Sequence, residues 1–336
     1  MVEKVKITFK NVGQGDSIII EWKEENIPKI GIVDCNLTTG NNNPVKEHII
    51  SHEYTEIDFM ILSHPHFDHF SGFYSLLEYC VNKPIKVNHF LYSSRNDAEY
   101  INDAHLTSNG KTELKKLIRL VYKLDQSKFL EASHINSTSF GANPAYSLIS
   151  KRLFLQFLAP SFKEFTSFIK MEPFFKYANP DEDIESLDGN ANWISTVIKI
   201  YSNDWYLLLT SDASRDVLQR LGVDKTNQYF NSSLVLGQAP HHGSENNSYP
   251  VFWKLRTKAN GTPIAISVGA NSYGHPSINV IDSFTKNNFE VFTTAPMSKT
   301  SSIMTNKANL ESMLLGTSSS VILNNSGQDL VFEFEY

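Results

Sequence analysis

Four potential metal ligands fall within six residues: His64, His66, Asp68 and His69. Their spacing matters. In an extended segment, side chains two residues apart leave the same side, so His64 and His66 can grip one ion. Asp68 and His69 follow where the chain turns toward a helix, so they point elsewhere and can hold a second ion. Imidazole and carboxylate together form a borderline-to-hard donor set, suited to zinc, manganese or iron. The only cysteines, Cys35 and Cys80, lack a CxxC spacing, which excludes a thiolate site and a disulfide framework. A plainer reading makes these histidines a surface loop with Asp68 capping the next helix. Capping calls for no histidines, and an aspartate can cap and ligate at once.

Three later segments carry the same residue types at the ends of apolar runs. Leu207-Leu208-Leu209-Thr210-Ser211 leads to Asp212. A carboxylate at the end of a buried strand must be paired or metal-bound, and its two oxygens can bridge two cations. His241 and His242 follow the apolar run 234–239. On an extended chain adjacent side chains point in opposite directions, so one of this pair is expected to be a ligand and the other to face a substrate or a supporting partner. His275 precedes Pro276, which biases it toward extended backbone.

Strands must carry these residues. Alternating or apolar runs predict strands at 4–9, 17–22, 29–33, 57–62, 87–92 and 153–158, and further ones at 205–209, 233–236 and 263–268. Residues 193–200 are read as one strand of a hairpin with 205–209, and 319–323 with 330–334 as a closing hairpin. Helices are expected over 70–81, 112–124 and 214–221. In the second of these, Leu114, Leu117, Ile118, Val121 and Leu124 share one face, and Lys115, Arg119 and Lys123 line the other. That basic stripe is a solvated surface or a phosphate-facing track. Residues 162–189 show no clean period, are dense in aromatics and end in an acidic run, which reads as an insertion or lid. Its rings could stack bases, dock a protein partner or supply the insertion's own packing. Strands come in runs rather than strict alternation with helices, which argues for sheets flanked by helices and against a doubly wound parallel sheet.

The 336 residues include 30 Lys+Arg against 36 Asp+Glu, a net charge of -6, which weighs against a general nucleic-acid coat. With 41% hydrophobic residues the chain can form a core, and wholesale disorder is excluded. No apolar run approaches a membrane span, and no signal-peptide pattern opens the chain, so a reduced, cytoplasmic protein without membrane contact is expected.

His64-Pro65-His66-Phe67-Asp68-His69 has the HxHxDH form and resembles the metallo-β-lactamase superfamily. Asn11-Val12-Gly13-Gln14-Gly15-Asp16-Ser17 is similar to the DVGQGDS opening of its competence-protein (ComEC-like) branch, as are Ile32-Val33-Asp34, the Leu209 to Ala213 stretch, Pro240-His241-His242-Gly243-Ser244 and the run from Ser267 to Pro276. No motif covers 93–150, 162–189 or much of the tail after 295. The resemblance implies an α/β (α+β sandwich) αββα four-layer fold, as a single domain over 1–336 with insertions at about 93–150 and 162–189.

It also implies two divalent metal ions, zinc or manganese. His64, His66 and a histidine of the His241-His242 pair would hold one. His242 is preferred as that ligand, with His241 left toward the substrate. Asp68, His69 and His275 would hold the second, Asp212 would bridge, and Asp34 would orient ligands. Asn11 replaces the branch's usual aspartate and Ser211 its usual glycine before Asp212. Many relatives add a ligand histidine before the bridging aspartate, for which His89, His105 and His134 are the candidates. The expected activity is metal-dependent phosphodiester cleavage of DNA or RNA by a hydroxide held between the ions, with Asp68, Asp212, His241 and His242 as catalytic residues. Ser244 and the amides near Gly243 are candidate oxyanion donors. The alternatives are a small-molecule hydrolase (a phosphorylcholine esterase, cyclic-nucleotide phosphodiesterase, lactonase or β-lactamase type) and an inactive metal-stabilised scaffold.

Overall fold

The computed structural model describes residues 4–94, 97–102, 106–135, 150, 152–170, 191–223, 229–295, 319–322 and 329–336. Two mixed sheets lie face to face. Among the described residues the first has eight strands and the second six. In the first, β1 (Lys4–Phe9), β2 (Ser17–Glu24) and β3 (Ile27–Cys35) run antiparallel, joined at the far edge by β14 (Leu330–Glu335) and β13 (Ser319–Ile322). From β3 onward, β4 (Glu56–Leu62), β5 (Lys86–Tyr92) and β6 (Glu131–His134) are parallel. The second sheet repeats this division. Its β7 (Phe154–Ala159) and β8 (Val197–Tyr201) are antiparallel to their neighbours, while β9 (Trp205–Leu209), β10 (Ser233–Gln238), β11 (Thr262–Ile266) and β12 (Phe289–Thr293) are parallel.

Alternation along the strands builds the layer between the sheets. Val5, Ile7, Phe9, Phe59 and Ile61 from one side meet Leu155, Ile198, Leu207, Leu209 and Leu236 from the other, all buried. The opposite face of the first sheet is covered by α1 (Pro44–Ser51), α3 (Phe73–Asn82), α4 (Asp97–Asn102), α5 (Ser108–Gln126) and α6 (Phe162–Lys170). That of the second is covered by α7 (Arg215–Val223), α8 (Pro250–Lys254) and α9 (Ile278–Lys286). The result is the expected mixed α/β arrangement of two sheets between helical layers, consistent with the metallo-β-lactamase fold.

Several elements differ from the sequence expectation. Four of the eight described strands of the first sheet and four of the six of the second run parallel; β3 to β6 are joined by crossovers through α1, α3 and α5, as parallel strands require. The helix expected over 70–81 is two helices, α2 (Phe67–Phe70) and α3, so Asp68 and His69 lie within a helical turn. The strand expected over 193–200 begins as a 3₁₀ turn at Ala191–Ile194 and becomes β8 only at Val197. The aromatic insertion opens as helix α6, whose Phe165 and Phe168 are buried in the helical layer over the first sheet. Its remainder, 171–190, lies outside the described residues, as do 136–149 and the turn of the closing hairpin at 323–328. On α5 the five apolar residues are buried and Lys115, Arg119 and Lys123 are exposed.

No helix among the described residues is long and apolar enough to cross a membrane.

Candidate metal centre

The parallel halves of the two sheets present their carboxyl ends to the same place, where ligands of open α/β sheets gather. Asp34 comes from the end of β3, His64 follows β4, Asp212 follows β9, and the His241-His242 pair follows β10. Asp16 arrives from the loop before β2. That loop passes so close that a Cβ on Gly15 would lie 2.3 Å from the Asp68 carbonyl oxygen, and Gly15 also holds a φ of +121°. The Asp16 amide donates to the same carbonyl at 3.1 Å.

Asp212 stands at the centre, buried, with its two oxygens facing two donor sets. On the Oδ2 side, His241 Nε2 lies 3.4 Å away and His64 Nε2 3.7 Å away, and His64 Nε2 is 3.0 Å from His66 Nδ1. On the Oδ1 side, His69 Nε2 lies at 3.5 Å and His242 Nε2 at 3.6 Å, and Asp68 Oδ2 is 3.4 Å from His242 Nε2.

The outer nitrogens of the rings are fixed. His69 Nδ1 meets Asp34 Oδ2 at 2.7 Å, and Asp34 also accepts from the Ser63 amide and hydroxyl. His242 Nδ1 donates to the Ser267 carbonyl at 2.9 Å. His241 Nδ1 meets Asn247 Oδ1 at 2.9 Å, and Asn247 also donates to the Asp212 and Ala213 carbonyls. With Nδ1 protonated by these acceptors, the Nε2 lone pairs turn inward. This is how metal-binding histidines are oriented.

The residues fit a pair of divalent ions. Two donors each about 2.1 Å from a shared tetrahedral ion sit about 3.4 Å apart, which matches the N···O separations around Asp212. The inward atoms His69 Nε2, His242 Nε2 and Asp212 Oδ1 are buried and have no hydrogen-bond partner, an expensive arrangement unless something else satisfies them. The charges agree. Burial works against ionisation of Asp212, yet His241, His242 and His69 hold its carboxyl well below the usual range, and Asp68 is depressed in the same way by His69 and His242. Burial opposes charging of His69 and His242 too, but Asp212 and its neighbouring carboxylates outweigh it. His69 is raised well above the usual imidazole range and His242 to about 9. Burial pushes His64 far down and His66 to about 4. Without cations the cluster balances its carboxylates with ring protons, which bound ions would replace.

The placement of the histidine pair departs from expectation. His241 and His242 are not extended. They occupy the left-handed region, with φ of 47° and 54°, in a 3₁₀ turn over Pro240–Gly243. That turn aims both rings at Asp212, one toward each oxygen, instead of sending one away. His241 therefore joins the His64-His66 set, where the sequence reading preferred His242 and left His241 toward the substrate, and His242 joins the Asp68-His69 set, where it placed His275. Asp34 at φ 57° and Ser211 at φ 46° are strained in the same sense, and such strain persists only where surrounding contacts over-determine it.

His275 does not reach the Asp68-His69 set. Its ring packs 5.4 Å from that of His241, at the rim. His89 sits on β5 beside Glu131, and His134 ends β6 against Tyr92, so neither joins the donor sets. His105 lies outside the described residues.

Two residues with no role assigned from sequence complete the site. Asp16 is buried, burial raises its carboxyl, and its Oδ1 is unpartnered near Asp212 and His242. Gln238 donates to Asp16 Oδ2 at 2.9 Å and accepts from the amides of Thr210 and Ser211, both at 3.0 Å. It thereby ties the Asp16 loop of one sheet to the Asp212 loop of the other. Asp16 stood in the glycine-rich motif. Gln238, inside an apolar strand, gave no signal of its own.

A family model described as "Metallo-beta-lactamase superfamily" matches residues 13–132. The matched segment runs from the glycine loop into β6 and includes His64, His66, Asp68 and His69. Among solved structures, the metallo-β-lactamase fold protein YhfI from Bacillus subtilis aligns at 11% identity over 87% of this chain and 96% of its own, with a TM-score of 0.45. Zn(2+)-bound PqqB from Methylobacterium extorquens aligns at 8% identity over 86% and 97%, TM-score 0.46. A diphosphatase of the PhnP family aligns at 9% identity over 100% of both chains, TM-score 0.42. At such distances these likenesses assign no activity. No curated protein matches the sequence.

Proposed function

We propose that this chain is a metal-dependent hydrolase that cleaves phosphodiesters, with nucleic acid as the substrate class. The observation that carries the reading is the division of the ligand atoms around Asp212. His64 and His241 lie nearest Oδ2, with His66 beside His64, while His69 and His242 lie nearest Oδ1, with Asp68 beside His242. Divalent ions held there would activate a water and neutralise charge on a phosphoryl oxygen, the chemistry of two-metal phosphodiester cleavage.

The chain's own residues supply the rest. Asp34, Ser267 and Asn247 keep the imidazoles in the tautomer that leaves Nε2 free. Asp68, at 36% side-chain exposure the most open of the carboxylates in these sets, lies where a substrate enters. His275, outside both donor sets and beside His241, is the imidazole left to hydrogen-bond a phosphoryl or leaving-group oxygen. The Lys115, Arg119 and Lys123 face of α5, opposite the face it buries, is exposed and cationic. This favours a polyanionic substrate over a small neutral one.

The test is metal-analysed turnover. The protein is assayed with manganese or zinc on single-stranded DNA, duplex DNA and bis-p-nitrophenyl phosphate, with Asp68→Ala combined with Asp212→Ala as the blank. Two ions per chain with polynucleotide cleavage absent in the blank is the expected result. Dye release with intact DNA would move the substrate to a small phosphodiester. Neither metal nor turnover would overturn the reading.

A further inference from the structure

Beside the metal centre, a run of aromatic rings leads from Asp212 to open solvent. His241 Nε2 is 3.4 Å from Asp212, the His275 ring centroid is 5.4 Å from that of His241, and the Tyr273 ring stacks on His275 at 6.0 Å with an interplanar angle of 25°. Tyr273 is 74% exposed, and its hydroxyl has no partner among the described residues. Its neighbour Gly274 borders open space, since a Cβ there would meet nothing within 4 Å.

This exposed ring is nevertheless held in place. Asn271 Oδ1 accepts from the amides of Tyr273 and His275 at 3.0 and 3.1 Å, while its Nδ2 donates to the carbonyls of Gly269 and His275 at 2.9 and 2.7 Å. The Ser277 amide, donating to the Gly243 carbonyl at 3.0 Å, anchors the loop to the turn carrying the histidine pair. A tyrosine loop fixed by side-chain hydrogen bonds, with the ring left in water, gains nothing for the core. A flat face presented next to a charged centre suits a ligand with a planar ring and an anionic group.

We propose that Tyr273, backed by His275, is a stacking platform for a nucleobase adjoining the phosphodiester that the metal centre receives. The proposal rests on the phosphodiesterase reading above and deepens it by naming the group that holds the base. Tyr273 binds the base face through its ring, so phenylalanine retains the function and alanine loses it.

Two p-nitrophenyl phosphodiesters sharing a leaving group separate the contributions. One carries thymidine through its 5′ oxygen, and the other carries methyl. In the metal-loaded full chain, Tyr273→Ala should raise KM for the thymidine ester about 5- to 150-fold, the effect of one lost base–aromatic stack, with kcat little changed. The methyl ester should be unaffected, and Tyr273→Phe should behave like the parent on both. Equal effects on both esters, or none on either, would overturn the platform. Calorimetric binding of thymidine 5′-monophosphate needs no turnover. Affinity lost in Tyr273→Ala and kept in Tyr273→Phe supports the platform even if neither ester is cleaved, in which case the hydrolase reading fails alone. No binding by the parent protein, or binding indifferent to Tyr273→Ala, overturns it.

Discussion

Replacing Gln238 by methionine keeps the shape of the side chain and deletes its three hydrogen bonds. Gln238 is only 2% exposed, so water cannot readily take its place. The change orphans the buried amides of Thr210 and Ser211 and one oxygen of Asp16. At about 1–3 kcal/mol per orphaned group, and with partial relaxation, the loss is roughly 3–6 kcal/mol, a large share of a typical folding stability of about 5–15 kcal/mol. Gln238→Glu separates the two halves of the brace. It keeps an acceptor for the two amides but sets a carboxylate against Asp16 Oδ2, where the amide nitrogen stands 2.9 Å away. One of the two carboxyls must then stay protonated, so the pair's folded pKa is raised. The resulting stability is present below the unfolded carboxyl pKa of about 4 and is lost as pH rises through the raised folded value. Denaturant titrations of both variants at pH 4.5 and pH 8 read this directly. A methionine variant within about 1 kcal/mol of the parent, or a glutamate variant whose stability difference does not grow with pH, would refute the brace; the first figure is below the least cost of one orphaned group per deleted bond.

Single alanine variants of His241 and His242 should each lower the bound metal from two ions toward one, because each ring faces a different oxygen of Asp212. Plasma mass spectrometry of dialysed protein checks this, and an unchanged count in either variant would remove that histidine from its set. Asp34→Asn should weaken metal affinity about 10- to 100-fold through loss of the carboxylate that fixes the His69 ring. Competition with a chromophoric chelator measures the change, and parent-like affinity would rule out the orienting role. Away from the site, burial works against ionisation of Glu21, but hydrogen bonds from His48 and Lys6 hold its carboxyl down at about 2. A depressed folded pKa gives stability that is present above about pH 4.5 and lost as pH falls through about 2. On the order of 2–3 kcal/mol of acid sensitivity between pH 5 and pH 2 should therefore disappear in Glu21→Gln. Parallel stability curves for the two proteins across that range would contradict it.

Much of the site is legible in the sequence because its signals are local. The HxHxDH run fixes four donors within six residues, and their alternation follows from extended backbone entering a helical turn. Apolar runs ending in Asp34, Asp212 and the His241-His242 pair mark strand ends, since a run of buried residues must stop where polar groups reach an opening. The amphipathic face of α5 is equally local, and its five apolar residues are all buried. The gathering of these strand ends, by contrast, depends on which strands pair in parallel, and that is set by crossovers whose lengths do not show in periodicity.

Residue types and their spacing set the donor chemistry: imidazoles and carboxylates, no thiolates, at the ends of apolar strands. Tertiary structure alone decided which histidine serves which side. Residue order suggested that adjacent His241 and His242 must diverge, as they would on extended backbone. Two successive left-handed conformations, stabilised by the Gly243 turn and by Asn247 and Ser267 holding the outer ring nitrogens, bring both to Asp212 instead. The same holds for Gln238 and Asp16, which are 222 positions apart and meet only because two sheets close on one another. Backbone handedness and contact across sheets depend on packing from the whole chain, so no window of sequence contains them.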